Sequence, residues 1–161
     1  MEKETIVGLI AIVMIVSVVA FSGCITEKQT QHQEYIENWH KAGDEGEEAG
    51  KLSDEAKQYL NDYKYSKAAI KYYDAQSHME MAEVYSKAAM ESAPTVEDKE
   101  YQKNMGMVYY YMSKTYSSYG EICDELANPQ PNKELTDQKY NEAQYYQEKA
   151  REYIKKAEYA I

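Results

Sequence analysis

The feature that most constrains this chain is a helical spacing of apolar residues that continues from Tyr35 to the C-terminus. Apolar side chains recur there in steps of three and four, which places them on one face of a helix. No segment after residue 25 alternates β-branched and polar residues, so strand signals are nearly absent. The chain has three prolines, at positions 94, 129 and 131. The sequence therefore predicts an all-α fold.

The prolines divide the body of the chain into helices. A second helix is expected from about Ser66 to Ser92, because Pro94 disfavours the helical conformation in the residue before it. Thr95 is the predicted N-cap of a third helix, which ends at the Asn-Pro-Gln-Pro segment of residues 128–131. A fourth helix is expected from about Asn132 to the terminus.

Each of these helices is expected to pack through an apolar stripe. The predicted inward residues of the second helix are Ile70, Tyr73, Met81, Val84, Tyr85 and Ala88. Those of the third are Tyr101, Met105, Val108, Met112, Tyr116, Tyr119, Ile122 and Leu126. Those of the fourth are Tyr140, Ala143, Tyr146, Ala150, Tyr153, Ile154, Ala157 and Ile161. Cys123 falls on the third stripe and is expected to be a small buried residue rather than a reactive thiol.

The stretch AGDEGEEAG, residues 42–50, allows two interpretations of the first helix. The apolar spacing continues through it, which favours one helix from Tyr35 to a turn at residues 61–65. Gly43, Gly46 and Gly50 oppose this, since each costs roughly 1 kcal/mol relative to Ala inside a helix. The alternative is a loop followed by a new helix that begins at Ser53, a good N-cap. We favour the continuous helix.

Four long helices joined by short connections predict an antiparallel up-and-down bundle over residues 35–161. Two fragments, AAIKYYDAQ at residues 68–76 and MGMVY at residues 105–109, resemble pieces of the tetratricopeptide pattern. That resemblance implies an alternative: a helical adaptor that binds a peptide in a tyrosine-lined groove.

The N-terminal segment indicates a membrane. Residues 6–21 are almost wholly apolar, and no charged residue occurs from Thr5 to Thr26. A run of this length can cross a bilayer or serve as an export signal. Phe21-Ser22-Gly23-Cys24 resembles the lipobox of prokaryotic lipoproteins, which implies cleavage before Cys24 and lipidation of that residue. An uncleaved signal anchor is the alternative.

Both interpretations leave the rest of the chain outside the cytoplasm. We expect a signal peptide or membrane anchor over residues 1–23, a tether over residues 24–34 and the helical domain over residues 35–161. The formal charge of −10, with Arg151 as the one arginine, argues against a nucleic-acid partner. It also repels anionic headgroups, so the domain is expected to stand above the membrane rather than spread on it.

Motifs for catalysis are absent from the sequence, which has no Gly-x-Ser-x-Gly, no Cys-x-x-Cys and no phosphate-binding glycine loop. Glu37 and His40 form one Glu-x-x-His unit of the kind that binds metals in helical bundles. A second unit fails because Ala75 stands where a Glu would precede His78. We expect a protein that is not an enzyme and has no cofactor and no metal; the alternative is a degenerate metal-carboxylate bundle that uses Glu37, His40 and His78.

Tyrosine is the remaining candidate for a binding element, since the chain has 18 Tyr, one Trp and one Phe. Tyr109, Tyr110 and Tyr111 are consecutive, and successive helical residues point about 100° apart, so they cannot all face one core. Tyr145 and Tyr146 pose the same problem. Exposed tyrosine favours contacts with proteins or sugars. We predict a membrane-bound binding or scaffolding module that contacts a protein partner through Tyr109, Tyr110, Tyr111 and Tyr145.

Overall fold

The computed structural model describes residues 2–160, with side chains from residue 28 onward. Its four helices are α1 (Glu2–Asn61), α2 (Tyr65–Ser92), α3 (Val96–Ala127) and α4 (Lys133–Glu158). The described residues contain no strand. The predicted all-α fold is therefore confirmed.

The predicted starts of α3 and α4 are confirmed by their caps, whereas α1 begins before the predicted Tyr35. Thr95 Oγ1 accepts a hydrogen bond of 3.0 Å from the backbone N–H of Asp98, as an N-cap does. Asn132 Oδ1 caps α4 in the same way, at 3.2 Å from the N–H of Leu135. The α2 helix ends at Ser92, before the proline.

The glycine-rich stretch of residues 42–50 is part of α1, so the loop interpretation is wrong. The helix ends instead at the predicted turn, where Tyr63 has a φ of 59°. The N–H of Tyr63 donates to the carbonyl of Leu60, and the N–H of Lys64 donates to that of Tyr59, at 3.0 and 2.8 Å. This pair of bonds is a Schellman cap, in which glycine usually occupies the left-handed position.

Consecutive helices pack antiparallel. Glu45 lies beside His78 and Glu55 beside Lys71, so residues later in α1 meet residues earlier in α2. The α2 helix packs on α3 and α3 packs on α4, whereas α1 and α4 have no pair of Cα atoms within 8 Å over the described residues. The helices thus form a row of sequence neighbours.

The α1 and α3 helices run parallel and meet through side chains. Trp39 contacts Tyr101 edge to face, with ring centroids 6.4 Å apart. Seven residues further along α1, Gly46 faces the ring of Tyr109. The α1 and α3 helices, which both pack on α2, therefore also contact each other.

Alanine at seven-residue spacing lines the helix contacts. Seven residues make nearly two helical turns, so residues at this spacing share a face. The buried alanines at this spacing are Ala42, Ala49 and Ala56 in α1, Ala68, Ala75, Ala82 and Ala89 in α2, and Ala143, Ala150 and Ala157 in α4. We call these residues the alanine seams. Their small side chains let the helices approach closely.

The predicted inward face of α2 is wrong in part, since Tyr73 and Tyr85 are partly buried against the core. Ile70, Met81 and Val84 are 59, 40 and 62% exposed, because α2 packs through its alanine seam. The fourth stripe is wrong in part, since Tyr140 and Ile154 are also exposed while its alanines are buried. A tetratricopeptide repeat holds two helices in about 34 residues. The helices α2 and α3 have 28 and 32 residues each, so they are too long for that pattern.

Cys123 is confirmed as a small core residue, and it is 1% exposed. Burial raises the pKa of its thiol to about 12, and the neighbouring Asp124 adds to this. The thiol is therefore protonated at neutral pH, which removes its nucleophilic character.

The predicted membrane segment and Cys24 lie outside the residues whose side chains are described. From residue 28 to residue 160, no helix has a window apolar enough to span a membrane. Residues 28–34 of the predicted tether belong to α1, and their side chains are exposed.

Candidate functional site

A group of aromatic rings joins α3 to α4 on the outside of the molecule. Tyr111 of α3 stacks on Tyr146 and Tyr153 of α4, with ring centroids 6.4 and 5.7 Å apart. Tyr110 and Tyr145 stand edge-on to their sequence neighbours at 5.2 and 5.5 Å. We call these five residues the tyrosine surface.

The alanine seam of α4 explains why the rings meet. Ala143 and Ala150 are buried, and Tyr146 and Tyr153 each follow one of them by three residues. Residues three apart are neighbours on a helix surface. The two rings therefore stand beside the seam, where Tyr111 reaches both.

The tyrosine surface is open to solvent at its edges. Tyr110 is 38% exposed and Tyr145 is 53% exposed. Over residues 28–160, none of the five hydroxyls has a hydrogen-bond partner. The rings thus offer rigid apolar area together with unused donors and acceptors, a combination that is enriched at protein interfaces.

Lysines border these rings on a chain that is acidic as a whole. The ammonium groups of Lys114, Lys149 and Lys156 lie 5.5, 6.0 and 4.2 Å from the ring centroids of Tyr110, Tyr145 and Tyr153 respectively. Such cation–π contacts are weak at exposed sites, so these lysines mark the border of the surface rather than stabilise it.

Two of these lysines are held by a shared carboxylate. Glu152 accepts from Lys156 and Lys149 at 2.9 and 3.0 Å. These hydrogen bonds lower the pKa of Glu152 to about 2. Lys114, which lies over the ring of Tyr110, has no ion pair among the described residues.

Tyr109 does not belong to the tyrosine surface, although it was predicted to bind a partner together with Tyr110, Tyr111 and Tyr145. It is 9% exposed and its ring lies over Gly46 of α1, where an added β-carbon would be 3.2 Å from Tyr109 Cε1. Burial raises the pKa of Tyr109 to about 12. The predicted residues Tyr110, Tyr111 and Tyr145 are brought together, and Tyr109 is a core residue.

Tyr146 and Tyr153 were missed as members of the surface. The sequence feature that could have identified them is their spacing of seven residues, which equals the spacing of the buried alanines and places both rings beside the alanine seam. Both rings were predicted to lie in the core because their spacing matched the apolar stripe.

The candidate metal ligands do not converge. His78 Nδ1 lies 2.5 Å from Glu45 Oε2 and is thus paired with a residue outside the predicted set of Glu37, His40 and His78. His40 contacts the ring of Trp39 instead, with centroids 5.8 Å apart. Within residues 28–160, no three His, Cys, Asp or Glu side chains form a group that could hold a metal ion.

Comparisons of the chain with protein-family models, with curated protein sequences and with solved structures found no match.

Proposed function

We propose that this protein is a membrane-anchored extracytoplasmic lipoprotein, and that it is a non-enzymatic module which binds or positions a protein partner through the tyrosine surface. The observation that supports the binding role is the cluster itself. Five aromatic rings stand together across two helices, with a border of lysines and with hydroxyls that have no hydrogen-bond partner among the described side chains. Aromatic residues of this kind supply most of the binding energy in many protein interfaces.

The lipoprotein part of the proposal depends on the lipobox-like residues before and at Cys24. Acyl chains on Cys24 would contribute about 0.8 kcal/mol for each buried methylene group, so several chains give a firm anchor. After cleavage the chain would carry a formal charge of −9, because Glu2, Lys3 and Glu4 contribute −1 to the total of −10, and this charge would keep the helices away from anionic headgroups.

The helical row supports a scaffolding role through its length. Trp39 lies beside Tyr101 and Gly46 beside Tyr109, so Tyr110 and Tyr111 are level with residues 47 and 48 of α1. Residue 48 is about 30 Å along the helix from residue 28, at 1.5 Å per residue. An anchor that precedes residue 28 would therefore hold the tyrosine surface well above the membrane.

Fractionation and mass spectrometry test the anchor. We expect the wild-type chain in the membrane fraction, with an N-terminal peptide that begins at an acylated Cys24. The Cys24→Ser variant should retain its signal segment and lack the acyl mass. A chain found free in the cytosol would contradict the proposal, and an uncleaved, unmodified wild-type N-terminus would replace the lipoprotein with a signal anchor.

Purification from solubilised membranes tests the binding surface. A chain tagged at its C-terminus should recover a partner that the double variant Tyr110→Ser/Tyr145→Ser recovers at least about tenfold less well, since buried interface tyrosines are common hot spots. The matched control is Tyr63→Ser/Tyr140→Ser, which removes two rings that are 79 and 53% exposed outside the tyrosine surface. Equal recovery by both double variants would contradict the assignment, provided that circular dichroism shows both to be folded.

A further inference from the structure

A second feature lies at the other end of the α1–α3 contact, where the start of α3 faces residues 32–39 of α1. A cavity of about 330 Å³ opens there, with Ala160 beyond α4 at its rim. Small-molecule sites begin at about 300 Å³, so this cavity has room for a small ligand. It does not include any residue of the tyrosine surface.

Three aromatic rings form the walls of the cavity. The ring of Trp39 lies nearly parallel to that of Tyr35, with centroids 6.1 Å apart and an interplanar angle of 24°. It is nearly perpendicular to that of Tyr101, at 6.4 Å and 84°. Trp39 is nevertheless 44% exposed, so much of this large side chain is not covered by the protein itself.

Two carboxylates line the same cavity, and neither forms an ion pair with a side chain of residues 28–160. Glu97 has no ion pair among the described residues. Asp98 accepts hydrogen bonds from two neutral hydroxyls, that of Tyr35 at 3.1 Å and that of Thr95 at 2.7 Å. His32 is the one basic side chain among the described residues that line the cavity, and its ring stacks on Tyr35 at 6.5 Å.

We propose that this cavity binds a small alkylated ammonium cation, such as a trimethylammonium group. The faces of Trp and Tyr rings attract organic cations, and rings set at right angles can contact such a group from two sides. Glu97 and Asp98 add negative charge and disfavour anions. A hydrated metal ion would instead require several converging oxygen ligands, which the ring walls do not provide.

The position of Trp39 makes the proposal directly measurable. It is the one tryptophan of the chain, so tryptophan fluorescence reports on the cavity wall alone. The full chain in a non-ionic detergent is titrated with tetramethylammonium chloride and with choline chloride. The matched controls are sodium chloride and 3,3-dimethylbutan-1-ol, which has the shape of choline without its charge.

We expect a saturable change in fluorescence with both ammonium salts and no saturable change with either control. The absence of saturation by either ammonium salt would overturn the proposal. An equal response to the neutral alcohol would overturn it too, because the cavity would then be only an apolar cleft.

Variants separate the site from its surroundings. Glu97→Gln and Tyr101→Ala should each weaken choline binding by about tenfold, which corresponds to 1.4 kcal/mol. Glu100→Gln is the control. Glu100 lies near the start of α3, as Glu97 does, but it pairs with Lys103 and does not line the cavity. Equal weakening by Glu97→Gln and Glu100→Gln would contradict the proposal, because it would indicate a general effect of charge. Unchanged choline binding by a folded Glu97→Gln variant would contradict it as well.

The same ammonium chemistry occurs in free solutes and in lipid headgroups. Reconstitution of the full chain into vesicles of phosphatidylcholine or of phosphatidylglycerol distinguishes these sources. Weaker binding of free choline in phosphatidylcholine vesicles alone would assign the cavity to a headgroup. Equal binding of free choline in both vesicles would assign it to a soluble cation.

Discussion

The Tyr73 ring of α2 lies directly against Gly120 of α3, so that a β-carbon on Gly120 would stand 2.6 Å from Tyr73 Cε1. The ring cannot easily move away, because its hydroxyl donates a hydrogen bond of 2.8 Å to Asp124 Oδ2. This contact makes glycine a packing requirement at position 120. At Gly43 of α1, by contrast, an added β-carbon would meet nothing within 4 Å.

The same substitution should therefore have opposite effects at these two positions. We expect Gly120→Ala to lower the free energy of unfolding by about 1–2 kcal/mol, because overpacking outweighs the gain in helix propensity. Gly43→Ala should raise it by up to about 1 kcal/mol, since only the gain in propensity remains. Urea denaturation followed by circular dichroism measures both changes. Shifts of the same sign would show that the Tyr73 contact does not limit the packing of α2 on α3.

Tyr63 should be replaceable by glycine with a gain in stability. Its φ of 59° lies in the left-handed region, which costs a non-glycine residue about 1 kcal/mol, and its side chain is 79% exposed. We expect Tyr63→Gly to raise the free energy of unfolding by about 1 kcal/mol. Tyr63→Ala is the control, because alanine removes the ring and keeps the strained backbone. If both variants have equal stability, the cap geometry is not the cause.

Alkaline pH should unfold the protein. Burial raises the pKa of Cys123 and of Tyr109 to about 12, from ordinary values of 9.0 and 10.0, and it also raises that of Tyr72. A raised pKa of a group that is neutral when protonated means that the folded state holds the proton more tightly than the unfolded state. The contribution to stability is then complete below about pH 9 and is lost as the pH rises toward 12.

Helix content and tyrosinate absorbance, measured together against pH, test this dependence. We expect part of the tyrosine absorbance to change only where the helical signal is lost, because the buried rings ionise on unfolding. Full ionisation of all tyrosines with the helices intact would contradict the burial of Tyr72 and Tyr109.

The helix boundaries could be predicted because the residues that fix them are local. Thr95 and Asn132 cap α3 and α4 with their own side chains, and Pro94 prevents α2 from continuing. The continuous course of α1 through residues 42–50 followed from the unbroken apolar spacing. None of these features depends on how the helices pair.

The packing faces were harder to predict because they depend on which helices meet. In α2, the larger apolar residues Ile70 and Val84 suggested one face, whereas the alanine seam lies on another. Tyr109 and Tyr110 differ by one position, and only the placement of α1 and α4 around α3 decides which of them is covered. The sequence could therefore predict that the tyrosines divide between core and surface, but not how.

The most direct test of the proposed function is site-specific photo-crosslinking in intact cells. A photoreactive amino acid at Tyr145 of the tyrosine surface is compared with one at Val84, which is 62% exposed on the outer face of α2. We predict one discrete crosslinked protein from Tyr145 and none of that mass from Val84. A crosslink from Val84 without one from Tyr145, or the same product from both positions, would contradict binding through the tyrosine surface.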